Sequence, residues 1–539
     1  MAGMRLMVLR RLGRVLWWGI TTIIISLAVM LSAVRLLLPG MAEYREQVET
    51  LVEEVLHRPV EIGSIDAAWY RLSPVLRLQK VVIHDENLPG GRLDVGEVQV
   101  GLNIVDSLWR QKWLTSGIRI IDVQLALRTD LSGKKTNEAG MEAFYWLMRQ
   151  ESVSLEQVTL NWQDPGLLKQ PVRFTDLSAQ LKSDGWRHQL LIQTAINEHY
   201  GKQIKLAADL SGPLKVPLDW RGRIYLRTEG FRLSSIADLT KSLGYAAEGD
   251  VDLEVWTSVR DKQLRWSAGS VQIVQPKLTR RDEPDTSFAA DGLSSHFSLR
   301  AIDGGWALEL QKFSLLRDQV EVWPETRLHA TVRNGESLSA HGRISHVALS
   351  EAGKMLSLLP WINADMRHRI EHMQPRGELT NTEFDLYLHD DAPPNLSLRS
   401  RFDHLGLTAS NGLPGATGLS GRLDGNLQSG TVDIDSQAVS LQLPNVFSDV
   451  PAISHLSGRL HWQRLMDRFR VTSDQLLLVS GPLSTRTRLQ LDWVPGQPVP
   501  WIDMLLQADE FPVAEVKRYL PDKAIRPKAL KWLRNAFRQ

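Results

Sequence analysis

From Gly430 to Leu443 the chain reads GTVDIDSQAVSLQL: Val432 and Ile434 alternate with Asp433 and Asp435, and Val439, Leu441 and Leu443 alternate with Ser440 and Gln442. A period of two puts the apolar side chains of a strand on one face and the polar ones on the other. The same weave recurs over most of the sequence. GDVDLEVW sets Val251, Leu253 and Val255 against Asp252 and Glu254, and TEFDLYL does the same with Phe384, Leu386 and Leu388. FRVTSDQLLLVSG and TRLQLDW add Phe469, Val471, Leu489 and Leu491 at inward positions. Some thirty such stretches, punctuated by Gly, Pro, Asn and Asp, predict a mainly β protein. Antiparallel strands suit the pattern, because one face can be oily along its whole length while the other is wet. Few helices are available to cover the oily face.

Helical periodicity is confined to a handful of segments. Val48, Leu51, Val52, Val55 and Leu56 recur at three- and four-residue spacing, and Pro59 ends that helix. Three later segments each follow strands with a short amphipathic helix: LSSIADLTKSLGY, LSEAGKMLSLLPWINADMRHRIEHM and FPVAEVKRYLPDKAIRPKALKWLRNAF. The first two return to a strand through Gly249 and Gly377, whereas the third reaches Gln539 without a returning strand, so a longer protein is expected. A weaker repeat, LSGRLDGNLQSGTVDIDS and LSGRLHWQRLMDRFRVTSD, spaces Leu419 and Leu456 by the length of a hairpin pair and suggests an array of stacked units. End-to-end β-sandwiches would give the same period, so the pattern alone leaves both architectures open.

The amino terminus adds a membrane. Residues Val15 to Val34 carry no charge over a length suited to crossing about 30 Å of hydrocarbon. Arg5, Arg10, Arg11 and Arg14 precede it, so the tail 1–14 is expected in the cytoplasm and the chain beyond Arg35 on the far side. The stretch is longer than a signal-peptide core and lacks a clean cleavage site. The chain has 63 basic and 62 acidic residues, a net charge of +1, which gives no footprint for nucleic acid. It has no cysteine. That removes disulfides, thiolate nucleophiles and zinc–thiolate sites, and suits an oxidising compartment such as the periplasm.

The residues His57 to Asp85, HRPVEIGSIDAAWYRLSPVLRLQKVVIHD, resemble the amino-terminal signature of AsmA-like proteins, especially the YhdP type. The likeness rests on the Arg-Pro-Val-x-Ile-Gly turn at Arg58 to Gly63, Ala-x-Trp at Ala67 to Trp69, and the strand from Pro74. SLWRQKWLTSGIRIIDVQLALRTDLSG, the YLP at Tyr519 to Pro521 and the WLRNAF at Trp532 to Phe537 continue it. The resemblance implies an inner-membrane anchor (15–34) carrying a long, twisted antiparallel β-sheet curled into a hydrophobic groove for phospholipids. An amino-terminal region would span 41–130 and a repeating groove 150–510, with helical insertions near 233–244 and 349–374 and a further helical unit from 511 to 539. Phospholipids are the expected partners, with inner- or outer-membrane proteins as further candidates; no cofactor, metal or catalytic residue is expected. Candidate groove-lining residues are Val251, Leu253, Val255, Phe384, Leu386, Leu388, Val432, Ile434, Leu441, Leu443, Phe469, Val471, Leu489 and Leu491.

Two other readings compete. HRIEH places His368, Glu371 and His372 in the H-x-x-E-H pattern of a zinc hydrolase, though five residues with two wildcards arise easily by chance and no third-ligand motif follows. No P-loop, G-x-S-x-G elbow or G-x-G-x-x-G after a strand is present. A TamB-like scaffold that helps assemble outer-membrane proteins would use the same strands through their exposed edges.

Overall fold

The computed structural model describes residues 16–22, 24–26, 28–29, 32, 45–56, 58–70, 73–84, 91–102, 115–128, 150–164, 170–213, 219–236, 244–335, 337–360, 362–389, 392–410, 414–449, 452–494, 501–508, 512–523 and 525–536. Among them are 24 strands, so the molecule is mainly β. The count falls below the thirty stretches read from the sequence partly because long strands, up to 18 residues, run through an internal irregularity that splits their pattern in two. The chain divides into two compact units, 1–229 with 259–263, and 230–258 with 264–539.

In the first unit, helix α1 (Arg45–Leu56) precedes β1 (Val60–Tyr70), β2 (Ser73–His84), β3 (Arg92–Leu102) and β4 (Thr115–Arg128). Then come β5 (Ser152–Gln163), β6 (Val172–Ser183), β7 (Arg187–Ile196), β8 (Gln203–Ser211) and β9 (Arg221–Arg232), whose last residues pass into the second unit. Each strand pairs antiparallel with the next except β4 and β5, which run parallel with Ile118 opposite Val153. This pair corrects the expectation of a wholly antiparallel sheet. A parallel pair needs a crossover of a dozen or more residues, and the 23 residues between β4 and β5 supply the length. Strand β1 pairs with β2, and α1 guards its other edge: Glu53 and Glu49 accept the backbone N–H groups of Val60 and Ile62 at 3.0 and 2.8 Å. Val48 and Val52 of α1 pack on a buried cluster of Val60, Ile62, Ile65, Leu78, Val81 and Val95.

The second unit holds β10 (Tyr245–Arg260, its tip in the first unit), β11 (Gln263–Arg280), the short β12 (Ser287–Ala289), β13 (Gly292–Ile302), β14 (Gly305–Arg317), β15 (Val320–Asn334) and β16 (Leu338–Ala348). A helical hairpin follows, α2 (Leu349–Leu356) and α3 (Ala364–Met373), the latter capped by the Asn363 side chain on the amide of Met366 at 2.9 Å. The chain returns as β17 (Arg376–His389), β18 (Ala392–Leu407), β19 (Gly415–Asn426), β20 (Ser429–Gln442), β21 (Ile453–Arg464), β22 (Phe469–Ser480), β23 (Leu483–Trp493) and β24 (Trp501–Ala508). A 3₁₀ turn (Val513–Tyr519) and helix α4 (Pro527–Ala536) end the described chain. From β13 to β24 every strand pairs antiparallel with its successor.

Most strands carry a β-bulge near the middle. Asp176, Lys312, Asn381, His404 and Ala438 sit there in the left-handed region at φ +49° to +55°, and the register shifts beside them. A bulge bends its strand, strengthens the twist and drops a carbonyl out of the ladder. Buried carbonyls need partners, and hydroxyls from neighbouring strands provide them. Thr194 donates to the carbonyl of Thr175, Ser295 to Gln311 and Ser400 to Thr380, at 3.1, 3.4 and 3.3 Å, each acceptor immediately preceding a left-handed residue. A row of bends across successive strands curls the sheet. The bulge also reverses the side-chain phase, so β20 points Val432, Ile434 and Ser436 inward before Ala438, and Val439 and Leu441 after it.

Candidate functional site

The strand registers trace one face from strand to strand. In the second unit, Leu308 of β14 stands opposite Leu299 and Ala330, and Leu310 opposite Phe297 and Leu328. Leu328 and Ala330 meet Ile344 and Gly342, and Gly342 and Ala340 meet Phe384 and Leu386. The row continues through Leu398 and Leu396, then Leu423, Val432, Leu460, and on to Val471, Leu491 and Ile502. From β13 to β24 the inward positions on the described strands are uncharged except Arg464 and Arg317, each at a strand tip, the latter paired with buried Glu351. Twelve strands at about 4.8 Å each carry it for roughly 50 Å.

The first unit repeats the arrangement. Leu78, Val98, Ile120, Leu155, Ala179, Ile192, Leu206 and Leu226 are register partners in sequence from β2 to β9. The sequence reading proposed no residue from this unit, although its strands show the same alternation.

The bulges divide the second unit's face into two zones. Beyond them the side chains are buried: Val439, Ile453 and Leu456 form one cluster, which Ile434 joins from the near side of the Ala438 bulge, and Leu315, Trp323, Val347 and Leu358 form another under α2. Buried ion pairs fasten this helical hairpin. Glu351, 3% exposed, accepts from Arg317 and Lys354 at 2.8 and 2.7 Å, and buried Arg367 pairs with Glu283. On the other side of the bulges the apolar side chains are mostly half-buried among the described residues.

Of the fourteen sequence-derived candidates, thirteen lie on strands and on this same inward face. Val251, Leu253 and Val255 share a side of β10 with Thr257, whose hydroxyl lies 3.1 Å from that of inward-facing Ser267. Phe384, Leu386, Leu388, Val432, Ile434, Leu441, Phe469, Val471, Leu489 and Leu491 take their places by register. Val251 and Ile434 are buried, Phe469 is exposed and the rest are half-buried. Leu443 falls just past β20, where its carbonyl accepts the amides of Val446 and Phe447 at 2.9 Å.

Sequence reasoning named Phe384 but missed Trp462 and Phe402, whose rings likewise cover glycines on this face. The Trp462 indole covers Gly430 and Gly425, where a Cβ would fall 2.2 and 2.7 Å from ring atoms, and donates its N–H to the carbonyl of Asn426 at 2.9 Å. Phe384 covers Gly342 and Phe402 covers Gly421 in the same way. Glycine inside an alternating strand was the available signal.

The outer face is charged and carries several matched ion pairs. Arg343, Glu383, Arg399 and Asp424 alternate in sign across β16 to β19 at 2.8, 3.6 and 2.9 Å. Asp433 pairs with Arg459, whose guanidinium holds the carboxyl below its usual range. Asp492, nearly buried, accepts from Arg470 at 2.7 and 2.9 Å and is shifted down in the same direction. His368, Glu371 and His372 lie on α3 with the first two side chains 77% and 64% exposed, and His372 Nδ1 lies 2.7 Å from the carbonyl of His368. Among the described residues no group of His, Cys, Asp or Glu is arranged to hold a metal ion.

A family model described as YhdP protein matches residues 1–539. The chain belongs to the YhdP family. It is similar to an Escherichia coli (strain K12) protein, "Intermembrane phospholipid transporter YhdP", at 19% identity over 549 residues, which cover 98% of this chain and 42% of that one. The chain thus spans about two fifths of its relative's length. Of the apolar stretch 15–34, residues 16–22, 24–26, 28–29 and 32 are helical, with Leu16, Trp17, Trp18, Ile20, Ile24, Ile25 and Val29 exposed; the others lie outside the described residues. Among the described residues no helix is long and apolar enough to cross a membrane.

Proposed function

We propose that this protein is a non-enzymatic conduit that carries phospholipids between the inner and outer membranes, their acyl chains lying along the inward face of its sheet. The observation that carries the reading is the uncharged, half-buried row followed by register from β13 to β24. Moving a CH₂ group out of water is worth about 0.8 kcal/mol, so one sixteen-carbon chain resists entering water by roughly 10 kcal/mol. An apolar trough removes that barrier and leaves the headgroup in solvent. Residues 15–34 anchor the chain in the inner membrane with its amino terminus in the cytoplasm and the strands in the periplasm; the exposed apolar side chains there support this placement. The relative's name, intermembrane phospholipid transporter, agrees with it. The fourteen candidates, Leu443 at the margin, line the path.

A photo-crosslinking residue at Ile434 or Leu386 tests the reading, followed by mass spectrometry of the adducts from protein purified in detergent. Phospholipid adducts are expected. Adducts to protein alone would overturn the conduit and favour the scaffold.

A further inference from the structure

The two cations on the inward face of the second unit stand at opposite lips and differ in their surroundings. Arg317 ends β14 and is neutralised by buried Glu351 at 2.8 Å. Arg464 ends β21 at the other lip, in step with Leu460 and Trp462, and stands in register with Phe469. It is exposed, and Asp467 on the turn that follows is already engaged by Arg468.

The neighbours of Arg464 on this face are apolar. Trp462 lies flat over Gly425 and Gly430, and Trp493 is the register partner of Phe469. Exposed Leu427 and Met466 crown the adjacent turns. One cation with a collar of aromatic rings thus closes the row that runs through Leu460, Val471 and Leu491. Aromatic rings suit the level where hydrocarbon gives way to polar groups, and a guanidinium fork matches phosphate oxygens two at a time.

The length of the strand fits the same partner. Eight residues along β21 separate Leu456, in the buried cluster, from Arg464, roughly 27 Å of extended chain. One leaflet's tails fill about 15 Å, half the hydrocarbon thickness of a bilayer. Tails seated outward from the cluster leave on the order of 10 Å for glycerol and phosphate, which brings the phosphate to the lip.

We propose that Arg464 binds the phosphodiester of a phospholipid whose tails lie on Leu460, Val471 and Leu491. Lipids in this part of the trough then lie with their headgroups toward the Arg464 lip and their tails toward the bulges. The inference rests on the conduit reading and adds to it a headgroup contact and an orientation.

The test places a photo-crosslinking residue at Val432, the register partner of Leu460, in the full chain purified in detergent. Phosphatidylglycerol or diacylglycerol with the same labelled acyl chains is then added in increasing amounts. Half-maximal adduct should need about tenfold less phosphatidylglycerol than diacylglycerol, the effect of one charge-assisted hydrogen bond. Arg464→Gln should erase that preference by weakening phosphatidylglycerol alone, and Arg464→Lys should keep most of it; thermal unfolding checks that both variants are folded. Equal adducts from the two lipids with the parent chain, or an undiminished preference in folded Arg464→Gln, would overturn the headgroup contact and leave the conduit standing. Loss of the preference in equimolar inorganic phosphate would assign Arg464 to free anions and overturn it too. Absence of any lipid adduct at both Val432 and Ile434 would remove the conduit and this contact together.

Discussion

A single carboxylate on the inward face should block the path, whereas the same carboxylate one residue away should not. Leu386 is half-buried on β17 with Ala340 and Leu396 as its inward register partners. Its neighbour Tyr387, 44% exposed, points to the opposite face between Ser339 and Asn395. No bulge intervenes, so Leu386→Asp and Tyr387→Asp place equal charges on opposite sides of one strand. A carboxylate held against hydrocarbon costs about 2.5–3.5 kcal/mol. At 1.4 kcal/mol per decade that is roughly a hundredfold fall in local lipid occupancy, and a cargo moving strand by strand must pass the point. The assay combines crosslinking yield at Ile434 with the rate of labelled phospholipid transfer between two vesicle populations; thermal unfolding checks that both variants remain folded. Leu386→Asp is expected to depress transfer by about two orders of magnitude and Tyr387→Asp by less than twofold. Equal behaviour of two folded variants would refute the assignment of faces.

Two further outcomes follow from the polar groups. Arg470 holds the Asp492 carboxyl below its ordinary range, so this pair stabilises the fold above the unfolded carboxylate value near 4 and loses that contribution as pH falls through the lower folded value. Asp492→Asn should therefore be less stable than the parent at pH 7, with the gap in urea midpoint closing below about pH 4; a gap unchanged by acid would disprove the linkage. Ser400 is buried and serves the bulge carbonyl of Thr380 and the hydroxyl of Thr382. Ser400→Ala should cost about 1–3 kcal/mol in chemical denaturation, the penalty for leaving buried polar groups unpaired. A loss below about 0.3 kcal/mol would show that the hydroxyl does not serve the bulge.

The alternation of polar and apolar residues made the strands and their faces readable, because burial on one side of a sheet constrains every second residue. The same alternation puts thirteen of the fourteen candidates on one face of the sheet. What escaped notice lay in the details of phase. Between Ile434 and Val439 the apolar spacing steps by five, an odd number, which requires a bulge if both residues are to face inward, and Ala438 is where it occurs. A left-handed alanine is held by its surroundings and leaves no local signature. The parallel pairing of β4 and β5 was equally silent, since partner choice depends on the route of a connection and not on alternation. The flat indole of Trp462 needed the three-dimensional register that brings Gly425 and Gly430 beneath it.

The mid-strand bulge has a consequence for how such a chain can drift over evolutionary time. Each is a place where reading frame between sequence and facing is reset, so an added or lost residue in one arm of a strand can be absorbed there without turning the other arm inside out. What selection must hold constant is a binary property, which side is greasy, and many residues satisfy it equally. A relative 19% identical across nearly the entire chain is what that tolerance would produce.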